Sequence, residues 1–179
     1  MDRIKFIVED YVDKEGGYRF PTINIYINNR NLIDLVSEIE QARWIRNGEE
    51  PKRSSYIGFE THRYDQFRSE LFAAHKRPHS VLLTCTCTIE QCNCIMADIS
   101  VQSETVIWSD IKSPWLGGKT PSRFIDIEEA ARLKWRPIDY SEIGVFVFRR
   151  KPYVDAVNDL SRDWRIGKWL IKDSSRWER

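Results

Sequence analysis

Residues 22–28 (TINIYIN) alternate strictly. Ile23, Ile25 and Ile27 fall on one side, with Asn24 and Tyr26 on the other. Period-two alternation marks a half-buried strand. A looser alternation over residues 3–13, carried by Ile4, Phe6, Val8 and Tyr11, predicts a partner strand. The Lys14-Glu15-Gly16-Gly17 turn between them completes an N-terminal hairpin. The period then changes. Leu32, Leu35, Val36, Ile39 and Ala42 recur at helical spacing behind Asn31, a good N-cap, and ahead of Gly48. An amphipathic helix over residues 31–47 is expected, followed by a polar loop at residues 49–55.

Residues 56–59 predict a short strand, and residues 61–76 a helix with Tyr64, Phe67, Leu71 and Phe72 on one side, ended by Pro78. Three strands follow, over residues 80–84, 95–101 and 105–111, the last two joined by a Gln102-Ser103-Glu104 turn. Residues 113–122 (SPWLGGKTPS) form a loop, and residues 126–133 a short helix with acidic residues in its first turn. After a turn at 139–144, the VFVF run at 145–148 reads as a continuous, buried strand. A helix over 151–163 places Tyr153, Val154, Val157 and Leu160 toward the core. The expected fold is therefore α+β: one domain, with a largely antiparallel sheet of about six strands and two or three helices on one face.

Composition narrows the class. With 41% hydrophobic and 31% charged residues in 179, the chain has the make-up of a globular domain that can bury a core. A formal net charge of +1 argues against a protein dominated by phosphate contacts and leaves room for a local basic patch. No apolar run reaches the ~18 residues of a membrane span. The opening MDRIKFIVED carries charge where a signal peptide has an apolar stretch. All four cysteines fall within ten residues, whereas a disulfide-stapled secreted domain spreads them. A cytoplasmic location is the expectation.

The cysteines are the most distinctive candidate chemistry. Cys85, Cys87, Cys92 and Cys94 form a C-x-C-x4-C-x-C pattern. In a hairpin with a loop at 88–91, Cys87 faces Cys92 and Cys85 faces Cys94, so all four thiols share one face. They would then be placed to hold zinc, although the paired C-x-x-C knuckles usual in structural zinc sites are absent. A strained cross-strand disulfide is a second reading. The ordinary reading is that cysteines pack as small buried hydrophobes. His79, six residues before Cys85, is a further candidate ligand, ordinarily a histidine beside a strand. Asp98 and Asp110 on the central strands would make an acid/base pair if they face inward; ordinarily such carboxylates face solvent. The tail at 164–179 interleaves Trp164, Trp169 and Trp177 with five basic residues, a pattern that suits nucleic acid, although Asp163, Asp173 and Glu178 dilute it. Gly117-Gly118-Lys119-Thr120 lacks the upstream glycine of a phosphate-binding loop.

Cys85-Thr86-Cys87 with Cys92, the Thr105-Val106-Ile107-Trp108 strand, and Gly144-Val145-Phe146-Val147-Phe148 leading to Tyr153 resemble a family of small uncharacterised bacterial proteins. Those have a cysteine-rich turn followed by T-V-x-W and G-x-F-x-F strands, and the resemblance spans about residues 80–160. It implies a bacterial source and no particular activity, so no catalytic residue follows from it. This chain departs from that pattern in its fourth cysteine, in having no glycine between the cysteines, and in carrying Ser113-Pro114-Trp115 where the family often has a histidine. The functional expectation is a non-catalytic binding or regulatory domain acting on a protein partner. A zinc or thiol-redox protein using the cysteines is the alternative, and a nucleic-acid binder using the tail is third.

Overall fold

The computed structural model describes residues 1–12, 19–51, 56–73, 79–86, 94–113 and 138–167. The fold is α+β. In chain order the elements are β1 (Ile4–Val12), β2 (Arg19–Ile27), β3 (Arg30–Asn31), α1 (Leu32–Arg46), β4 (Tyr56–Ile57), β5 (Phe59–Glu60), a 3-10 turn (Thr61–Arg63), α2 (Tyr64–Leu71), β6 (Ser80–Cys85), β7 (Ile95–Val101), β8 (Thr105–Ser113), β9 (Ile138–Asp139), a second 3-10 turn (Ser141–Ile143), β10 (Phe146–Arg149) and α3 (Arg150–Leu160). No helix among the described residues is long and apolar enough to cross a membrane.

The strands form two antiparallel sheets where one was expected. The first has the order β1-β2-β3, with β5 also on β2. The second has the order β10-β8-β7-β6-β4, with β9 also on β8. Two short connections tie the sheets together. The first is at Gly58, where the chain leaves β4 in the larger sheet and enters β5 in the smaller. A Cβ there would lie 2.2 Å from the Ile23 carbonyl oxygen, so only glycine lets the backbones approach this closely. The second is at Asp2, which bridges to Phe148 in parallel. Its N–H donates to the Val147 carbonyl (2.8 Å) and its carboxylate accepts from the Val147 N–H (2.8 Å).

One apolar core draws on both sheets. Ile23, Ile25 and Ile27 of β2 are buried, as the alternation demands, and meet Leu82, Leu83, Val106, Trp108 and Phe148 from the larger sheet in the same cluster. Tyr153 of α3 is fully buried among aromatics, edge-on to Trp108 and tilted against Phe148. Its hydroxyl accepts from Trp108 Nε1 (3.2 Å) and donates to the Leu71 carbonyl (2.8 Å). One side chain thus joins β8, α2 and α3.

Several expectations need correction. In α1 the Asn31 cap is formed, with its side chain accepting from the Ile33 N–H (2.9 Å). Only Leu32 and Val36 are buried, however, and Ala42 is exposed. The second half of the helix turns polar contacts, Glu40 and Arg43, toward Tyr140. The second helix stops at Leu71, because Phe72 caps it and Ala73 takes a left-handed φ of 48°. The strand at 146–149 is less buried than its apolar run suggested. It pairs with β8 along one side and, among the described residues, meets Asp2 on the other, and its neighbour Val145 is 60% exposed. The helix expected at residues 126–133, the 113–122 loop beyond Ser113, and the tail beyond Gly167 lie outside the described residues.

Candidate metal centre

The larger sheet carries two irregularities, one on each side of β7. Between β6 and β7 the register runs Ser80↔Ala97, Val81↔Met96, then Leu83↔Ile95, so Leu82 is an extra residue in β6. Between β7 and β8 it runs Met96↔Lys112, then Asp98↔Ser109. There Ala97 alone opposes both Asp110 and Ile111, and Asp110 has a φ of 49°. Two residues against one, with the first left-handed, is the count of a glycine-type β-bulge. An aspartate tolerates this backbone better than most residues, yet at some cost relative to glycine.

The first irregularity corrects the cysteine geometry. Cys85 and Cys94 are both buried thiols. Continued one residue past Leu83↔Ile95, the register sets Thr84, and not Cys85, against Cys94. A one-residue shift sends a side chain to the opposite face, so the expected Cys85–Cys94 pairing on one face is not formed. Cys85 lies instead beside Tyr56 of β4. Cys87 and Cys92 fall outside the described residues.

The second irregularity builds a different cluster. His79 directly precedes Ser80, whose partner is Ala97, so His79 stands next to Asp98. Ser109 is the partner of Asp98, with Asp110 beside it in the bulge. Three adjacent strands thus present His79, Asp98 and Asp110 side by side. One donor atom from each lies within 4.8 Å of the others, and among the described residues this is the only such group of histidine, cysteine and carboxylate side chains. The start of β6 is held firmly. Buried Glu70 of α2 accepts the Val81 N–H at its carboxylate (2.9 Å) and the Ser80 hydroxyl at its backbone carbonyl (2.8 Å).

The electrostatics are uneven. The His79 side chain is only 11% exposed, while Asp98 is 46% exposed. His79 Nδ1 is buried and pairs with Asp98 Oδ1. On the far side, Lys112 Nζ pairs with Asp110 Oδ2, and the lysine side chain is 13% exposed. An imidazole nitrogen and two carboxylates suit a first-row divalent ion such as zinc or manganese, whereas calcium prefers an all-oxygen shell.

Sequence reading picked out His79, Asp98 and Asp110 separately and missed that they meet. It missed Lys112 altogether. The other candidates are dispersed. His62 lies 3.9 Å from Glu60, and burial pushes its pKa below the ordinary value. Arg165, counted with the basic tail, is held by Asp163 (2.7 and 2.9 Å). His75 and residues 117–120 fall outside the described residues. Comparison of the chain with protein-family models, curated proteins and solved structures finds no match.

Proposed function

We propose that this protein is a divalent-cation-binding domain whose site is His79, Asp98 and Asp110. The observation that carries the reading is the convergence of three side chains: buried His79 Nδ1 touches Asp98 Oδ1, and one donor atom each of His79, Asp98 and Asp110 lies within 4.8 Å of the others. Metal–ligand distances of ~2.0–2.2 Å place neighbouring donors about 3 Å apart. Asp98 and Asp110 are half exposed, so they can close to that spacing without moving the sheet. The left-handed Asp110 supports the same reading, because backbone strain persists where a function requires that side chain in that place. Three protein ligands leave coordination positions open for water or another ligand. A cation held on a mid-sheet platform serves recognition of a partner as readily as catalysis. The expected binding or regulatory role therefore remains the broader class to which this reading belongs.

Thermal unfolding with and without metal tests it. A ligand at one hundred times its dissociation constant stabilises by about 2.7 kcal/mol. For a chain of this length that corresponds to a rise of roughly 5–10 °C. Manganese or zinc should produce such a rise in the native protein and none in Asp98→Asn. Equal shifts in both would refute the assignment.

A further inference from the structure

Resting on that cation site, we infer that Lys112 turns it into a receptor for a phosphoryl group, bound between the metal and the lysine ammonium. The argument begins with charge. Two carboxylates neutralise a divalent ion, and an imidazole adds no charge when it is a metal ligand. Lys112, paired with Asp110 on Oδ2, then leaves the cluster with one net positive charge. A carboxylate has two oxygens, so Lys112 on one leaves the other for a metal.

Position supports the same conclusion. Lys112 opposes Met96 and Ser109 opposes Asp98, and Met96 and Asp98 lie two apart on β7. The bulge therefore puts Lys112 and Ser109, three apart in sequence, on the same face of the sheet as Asp98. That face offers an ammonium and a hydroxyl around a metal with open positions. A tetrahedral phosphoryl group presents several oxygens and can engage the metal, Lys112 and Ser109 together. Lysine is a common point-charge partner for such groups. The low exposure of the Lys112 side chain, 13%, means that its ammonium is held near the cluster instead of sweeping through solvent.

The test is titration of inorganic phosphate into the manganese-loaded full-length protein by calorimetry, with acetate in parallel. Phosphate should bind the wild type and bind Lys112→Met at least 10-fold more weakly. Manganese affinity in Lys112→Met should be equal or higher, because a competing cation has gone. Lys112→Arg keeps the charge and should retain most of the phosphate affinity, which separates the role of the ammonium from any folding defect. If manganese binds and Lys112→Met takes phosphate as well as the wild type does, this inference fails while the cation site stands. If acetate binds as tightly as phosphate, the phosphoryl assignment fails. If manganese does not bind the wild type, both fail together.

Discussion

Replacing Tyr153 with phenylalanine removes one oxygen and leaves the aromatic packing in place. That hydroxyl links three elements of the core. It accepts from Trp108 Nε1 at 3.2 Å and donates to the Leu71 carbonyl at 2.8 Å. Trp108 and Tyr153 are both 0% exposed, so water cannot take its place. An unpaired buried donor or acceptor costs about 1–3 kcal/mol. Two are created here, with little relaxation open to a packed core, and the loss should be about 2–4 kcal/mol. At roughly 2–4 °C per kcal/mol for a chain of this size, the melting temperature should fall by about 5–15 °C. Urea unfolding followed by far-ultraviolet circular dichroism measures the same quantity, with an unchanged m value if only stability is affected. Tyr64→Phe serves as a reference: its hydroxyl donates to the Val157 carbonyl (3.0 Å) from a partly buried site, and its removal should cost less. A loss below ~1 kcal/mol for Tyr153→Phe would refute the claim that this hydroxyl joins β8, α2 and α3.

Two further outcomes follow from the packing and the charges. Gly58→Ala drives a Cβ to 2.2 Å from a backbone carbonyl oxygen, and overpacking against backbone should cost more than ~2 kcal/mol in urea unfolding; a neutral result would mean that the two sheets are not pinned there. Burial holds the Glu40 carboxyl above the ordinary carboxylate range, against the hydrogen bond from Tyr140 and the charge of Arg43. A raised acid favours folding in its neutral form. Its contribution is complete below the unfolded pKa of about 4.3 and is lost as pH rises through the folded value. Stability measured at pH 4 and pH 7 should therefore shift against the wild type, relative to Glu40→Gln, on going to the higher pH; a constant difference would contradict the assignment.

The elements were largely legible because their signals are local. The TINIYIN alternation needs only its own residues to define β2, and the Asn31 cap with its apolar spacing defines α1. The strand at Ile95–Val101 and the turn after it follow from the same pattern. Division into two sheets was not legible. It depends on Gly58 passing between backbones and on Asp2 reaching Phe148, and these contacts are set by tertiary approach. The cysteine geometry failed for a related reason. An ideal hairpin was assumed, and the single extra residue at Leu82 shifts the register so that Thr84, in place of Cys85, falls against Cys94. The metal cluster was half legible. His79, Asp98 and Asp110 stood out as chemistry-bearing residues, but a bulge at an aspartate, where glycine is usual, gives no sequence sign. Lys112 drew no attention because a lysine on a strand is ordinarily a solvated charge.

The central claim rests on Asp110, and its left-handed backbone allows an unusually clean experiment. Asp110→Gly removes the carboxylate while relieving the backbone, which offsets the loss of the Lys112 pair, so the variant should remain folded, as its melting transition will report. The direct measurement is equilibrium dialysis against manganese or zinc, followed by elemental analysis of metal bound per chain. One equivalent in the wild type and none in the folded Asp110→Gly protein is the expected result. Equal metal content in the two, or no metal in the wild type, would contradict the account.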